Sequence, residues 1–200
     1  MTAALSNRNL KRAQRRARRA AVPPGGPQAT ARALARLDGA RTLLLVEGLS
    51  DQIAVETLAL RRGRDLAAES VVVVPIGGAH AVGRFVSRFS DRHLIGLCDI
   101  GEEEVFRRFL ERVHVCVLDL EDELIRALGP ASVEAVIRAQ GDLPSFHTFQ
   151  KQPAWRGRPV EAQLRRYLGS ADRRKLRYAR LLVEALNLER VPEPLNAVLG

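Results

Sequence analysis

Apolar and polar positions follow two different rhythms along this chain of 200 residues. Short, almost wholly apolar runs bounded by glycine or acid recur between longer stretches whose apolar residues return every three or four positions. LLLVEG (43–48) reads as a buried strand, and SDQIAVETLALRRG (50–63) as a helix with Ser50 as N-cap and Gly63 as its stop. SVVVVPI (70–76) is a second, β-branched strand, after which Gly77-Gly78 turn the chain into a helix over AHAVGRFVSRFS (79–90). HLIGLCD (93–99) predicts the third strand, EEEVFRRFLERV (102–113) the next helix, VHVCVLD (113–119) the fourth strand and LEDELIRALG (120–129) a helix closed by Gly129. Strands that are apolar on both faces and alternate with helices describe an α/β fold with a four-stranded, mainly parallel sheet flanked by helices. From Pro130 onward the pattern is helical, through ASVEAVIRAQG, LPSFHTFQ, VEAQLRRYLG and ADRRKLRYARLLVEALN to VPEPLNAVL, giving an α-helical C-terminal extension.

The expected organisation is a basic arm and Pro/Gly linker over 1–36, an α/β domain over 37–129 and helices over 130–200. VPPGGPQAT forms the linker, and Ala31 to Leu37 a short entry helix with Thr30 at its N-cap. Composition adds one fact to this picture, the uneven distribution of a formal charge of +9. Residues 1–36 carry nine Lys or Arg and no acid, residues 37–155 thirteen bases against eighteen acids, and residues 156–190 ten bases against four acids. An acidic centre between basic flanks suits a metal-binding site that serves a polyanion, although a solvated tail and an Arg-rich helix give the same tally. No apolar run reaches the roughly 18–20 residues that span a bilayer. Cys98 and Cys116, both in strand-like surroundings, read as reduced buried thiols of a cytoplasmic protein. No GxxxxGK[ST] is present to bind ATP.

The candidate chemistry sits at strand ends. In an open parallel sheet the functional crevice lies beyond the carboxyl ends of the strands. Three of the four expected strands end there in acids: Glu47 with Asp51 one helical turn on, Asp99, and Asp119 with Glu121 just beyond. Gathered carboxylates repel one another unless a cation lies among them, and an all-oxygen set favours Mg²⁺ or Mn²⁺, one or two ions. The plainer reading is that acids after strands cap the next helix, as Asp51, Asp99 and Glu102 are placed to do.

VEGLSD, VVVVPIGG, GLCDIGEE and DLEDELIRALG, in that order and at that spacing, resemble the TOPRIM domain of topoisomerases, primases and related nucleases. They are most similar to the TOPRIM half of the overcoming-lysogenization-defect (OLD) nucleases. RRKLRYARLLVEAL resembles that family's lysine-bearing C-terminal helix, so the likeness runs from about residue 40 to 186. The resemblance implies a TOPRIM-like sheet with Glu47 and Lys175 as catalytic residues and Glu47, Asp51, Asp99 and Glu121 as metal ligands. From the residues themselves, the Gly77-Gly78 turn lets a nucleic-acid phosphate or a metal approach the backbone, and Arg173, Arg174 and Arg177 read either as phosphate contacts or as solvated cations. Asp119 stands where the family often has a small polar residue. The chain departs from the family at Asp99-Ile100-Gly101, where TOPRIM domains carry Asp-x-Asp; Glu102 is the adjacent acid, and the second metal is in question.

The activity so implied is divalent-metal-dependent phosphodiester hydrolysis of nucleic acid, with DNA the expected substrate, by an endonuclease lacking the family's ATPase half. Expected partners are nucleic acid and a separate ATPase or a second copy of the chain, with no membrane. The alternative is a metal-binding, nucleic-acid-binding or regulatory subunit with little catalysis. His147 with Phe146, Phe149 and Trp155 reads either as a base-stacking surface or as a small helical core.

Overall fold

A computed structural model of the chain describes residues 27–200; of the basic arm and linker expected over 1–36, residues 1–26 lie outside the described residues. The first helix, α1 (Pro27–Leu34), begins earlier than its sequence pattern suggests. Thr30 does not cap it but lies inside it, where its hydroxyl donates to the carbonyl of Pro75 at 2.5 Å.

Four strands, β1 (Thr42–Val46), β2 (Val71–Pro75), β3 (His93–Asp99) and β4 (Arg112–Cys116), form one sheet in the order β2-β1-β3-β4. Every pairing is parallel, with Val46 level with Pro75 on one side and Leu97 on the other, and Asp99 level with Cys116. Alternate side chains build a core on each face. Leu43, Leu45, Val72, Val74 and Cys98 point towards α1, α3 (Val82–Arg88) and α4 (Glu103–Arg107). Leu44, Val46, Val73, Leu97 and Cys116 point the other way, towards α2 (Leu49–Arg61), α5 (Leu120–Leu128) and the C-terminal helices. Gly96 permits the first face to close, because a Cβ there would lie 2.7 Å from the ring of Phe106.

The fourth strand is shorter than its apolar run. It ends at Cys116, and Val117 and Leu118 are 61% and 46% exposed. The carboxylate of buried Glu123 accepts the Val117 N–H at 2.8 Å, and Asp119 caps α5 by accepting the Asp122 N–H, also at 2.8 Å. These two bonds satisfy the backbone beside a sheet edge that has no neighbouring strand among the described residues, so the chain leaves the sheet early.

Beyond α5 lie α6 (Pro130–Ala139), α7 (Leu143–Gln150), α8 (Val160–Gly169), α9 (Asp172–Ala185) and α10 (Glu193–Ala197). They share the core of the sheet's second face, since Val133, Phe146, Leu164, Tyr178, Leu182 and Leu195 pack with Leu44, Val55 and Leu124. Helix α9 lies along α2. At one end Arg61 donates to the carbonyls of Val183 and Leu186 at 2.8 and 2.7 Å, and at the other Lys175 feels the charge of Asp51. The two helices therefore run in the same direction, and both amino ends face the carboxyl ends of the strands. Among the described residues no helix is long and apolar enough to cross a membrane.

Candidate functional site

Glu47 follows the last residue of β1, and its place is set through its backbone. The N–H groups of Gly77 and Gly78 both donate to its carbonyl, at 3.0 and 3.1 Å. The two glycines have φ of +80° and +109°, a backbone that side chains disfavour. Their amides are thus committed to holding Glu47. The Glu47 side chain crosses to the neighbouring strand end, where its Oε1 accepts the Asp99 N–H at 2.9 Å. The carboxylate of Asp51 turns back on its own helix and accepts the Gly48 N–H at 2.9 Å, which makes Gly48, rather than Ser50, the N-cap of α2.

Glu121, in the first turn of α5, is 6% exposed, and the Lys175 ammonium lies 3.4 Å from its Oε2. Asp119 uses both oxygens: Oδ1 caps α5, and Oδ2 meets the Arg165 Nε at 2.6 Å. Glu102 closes a short 3-10 turn (Ile100–Glu102) and adds its charge to the field at Glu47. Gly101 is exposed, and no atom lies within 4 Å of the point a Cβ would occupy there, so the place of the absent second aspartate is open space.

The acids lie within one another's electrostatic field. Burial, then the charges of Glu47, Asp51, Asp119 and Glu121, push the Asp99 carboxyl up to about 8. Burial pushes Glu121 up to about 7 against the pull of Lys175, and burial also raises Glu47 and Asp51. Burial would lower the Lys175 ammonium, but Glu121 and Asp51 outweigh it and hold its pKa above the ordinary lysine value. Acids held in this way bind protons that a divalent cation would replace. The donor set is all oxygen, which fits a hard ion, yet among the described residues no group of three or more His, Cys, Asp or Glu is gathered closely enough to hold one as it stands. Holding an ion here would require these side chains to close on it, with water completing its shell.

The remaining candidates are dispersed. Arg173 is exposed at the start of α9. Arg174 donates to the Tyr167 carbonyl at 3.0 Å and stacks 4.0 Å over the Tyr167 ring, while Arg177 pairs with Asp142. Phe146 is fully buried, Phe149 stacks on Trp155 at 5.3 Å, and exposed His147 lines an open groove of about 690 Å³ with Gln150, Lys151 and Arg156. Arg165, which touches the acid cluster, carries no signal in VEAQLRRYLG that separates it from its neighbour Arg166; its role follows from the direction in which α8 presents it.

Comparison with known proteins bears on the fold and on part of the sequence. Residues 40–98 match the family model of the overcoming lysogenization defect protein-like TOPRIM domain. That segment holds Glu47, Asp51 and both glycines and stops one residue short of Asp99. The fold is similar to the C-terminal region of the Burkholderia pseudomallei OLD protein, at 14% identity and a TM-score of 0.56 over 80% of this chain and 95% of that one. It is likewise similar to the C-terminal region of the Xanthomonas campestris pv. campestris OLD protein, at 18% identity and a TM-score of 0.58 over 82% and 92%. No curated protein matches the chain.

Proposed function

We propose that this chain, whose residues 40–98 match the OLD-like TOPRIM family model, is a metal-binding, nucleic-acid-processing unit that hydrolyses phosphodiester bonds of nucleic acid, DNA foremost, with Mg²⁺ or Mn²⁺. The observation that supports this reading best is the link between distant strand ends: the Glu47 carboxylate on the Asp99 amide, within the field of Asp51 and Glu121. Five acids, Glu47, Asp51, Asp99, Asp119 and Glu121, share one crevice with two cations, Lys175 and Arg165. A phosphate would be repelled from that crevice unless the acids were first neutralised.

Glu47, Asp99 and Glu121 would hold the ion, and Asp51 would orient it or hold a second. A bound ion would supply Lewis-acid polarisation of the phosphate and lower the pKa of a bound water. Lys175, kept charged by Glu121, offsets negative charge that builds on the phosphate oxygens. Glu47, whose carboxyl is raised by burial, is the group placed to take a proton from water. The open space at Gly101 and the lack, among the described residues, of a ready three-ligand group favour one ion over two. The same two observations support a second reading, a metal-binding TOPRIM subunit that holds nucleic acid and cleaves it little.

A plasmid-nicking assay with Mn²⁺ separates these readings. Nicking by wild type that is lost in both Glu47→Ala and Asp99→Ala is the expected result. Equal nicking by all three proteins would assign the cleavage to something other than this crevice, and DNA binding without nicking would favour the second reading.

A further inference from the structure

We propose that Arg165 is a phosphate-contacting residue of this site and that Asp119 is its holder, not a metal ligand; the inference rests on the crevice handling nucleic acid. Arg165 lies on α8, outside every motif that suggested the site, yet its Nε is 2.6 Å from Asp119 Oδ2. Asp119 precedes Glu121 by two residues and helps raise the pKa of both Asp99 and Glu121, so the contact lies at the rim of the acid cluster. The guanidinium also feels Asp99 directly. Lys175 on α9 and Arg165 on α8 are thus two cations, from two helices, on one group of acids.

Both oxygens of Asp119 are already spent, one on the Asp122 N–H and one on Arg165. A metal would have to share those oxygens with a helix cap and an ion pair. Arg165, by contrast, is barely spent. It gives only Nε to Asp119, its terminal amino groups have no hydrogen bond among the described residues, and its side chain is 41% exposed. An arginine held through Nε presents its two amino groups outward in a fixed fork, the geometry that receives two oxygens of a phosphate. The carboxylate keeps the fork aimed during the approach of the polyanion, and the exposed amino groups make the contact.

The test measures Mn²⁺ affinity by calorimetry on the full chain without DNA, and affinity for a fluorescein-labelled DNA duplex by anisotropy across a salt series. Arg165→Ala is expected to leave Mn²⁺ affinity within threefold of wild type, to weaken DNA binding about tenfold, and to lower the salt slope by about one. Asp119→Asn is expected to leave Mn²⁺ affinity within threefold and to weaken DNA binding, with little further loss in the double variant because the two act as a unit. Should Arg165→Ala fail to fold, Arg165→Gln, which keeps the stem against the helix, gives the same comparison. A tenfold or greater loss of Mn²⁺ affinity in Asp119→Asn would make Asp119 a ligand and overturn the proposal. Unchanged DNA affinity and salt slope in the Arg165 variants would do the same. Wild type that binds and loses DNA as expected but never nicks it would overturn the hydrolytic reading and leave this one standing.

Discussion

The most quantitative consequence of the crevice concerns stability against pH in the absence of metal. Glu121 is almost completely buried and its carboxyl is pushed up to about 7, from an ordinary value near 4.5 in an unfolded chain. A carboxyl whose folded pKa is raised favours the folded state while it stays protonated. Its contribution is greatest at low pH and is lost as pH rises from the unfolded to the folded value. At about 1.4 kcal/mol per pH unit, the loss between about pH 5.5 and pH 8 is about 2 kcal/mol. For a chain of this size that is roughly 4–8 °C in melting temperature. Asp99, raised to about 8, acts in the same direction, with an effect reduced by its partial exposure to solvent. His114, lowered by burial, acts in the opposite direction, since its stabilising neutral form is lost as pH falls. Comparing wild type with Glu121→Gln by thermal melts in EDTA cancels His114, which both proteins share. The expected result is a wild-type melting temperature that falls between pH 5.5 and 8 relative to the variant, with Mn²⁺ restoring wild type most strongly at pH 8. Parallel profiles for the two proteins, or a wild type that gains on the variant as pH rises, would refute the account of Glu121 as a buried acid without an adequate cation.

Gly101→Asp is expected to fold as wild type does, because open space surrounds the position. It should raise the Mn²⁺ stoichiometry measured by calorimetry from one towards two, and an unchanged stoichiometry would show that a carboxylate at 101 does not reach the site. Cys98, raised to about 12 by burial and by Glu47, and Cys116, raised further, are expected to resist a thiol-disulfide reagent at pH 8 until the protein is denatured, whereas rapid labelling of the native protein would contradict their burial.

Much of this architecture is legible in the residues themselves. The two inner strands and β2 run almost wholly apolar because both faces of the sheet are covered there, and that separates them from the helices around them. Glu47 and Asp99 are readable as candidate site residues because each interrupts such a run at its carboxyl end. The pattern misleads at β4 for a local reason: Val117 and Leu118 continue the apolar run, but Glu123 takes the Val117 amide and the chain turns away. Ser50 resembles an N-cap by type, yet the Gly48 amide already lies within reach of Asp51. Gly77 and Gly78 differ from expectation in kind, since a glycine pair announces a tight turn without saying what its amides bind. Arg165 is out of reach altogether, because one arginine among many on an amphipathic helix gains meaning only when the rotation of that helix is known.

The alignment of α9 beside α2 also dictates an order of assembly. During synthesis every acid of the crevice leaves the ribosome before Lys175, and the hydrophobic seam that seats the lysine requires Tyr178 and Leu182, which emerge later still. A nascent chain that has made its whole sheet therefore still holds uncompensated acids, and the lysine reaches Glu121 only when the last long helix docks.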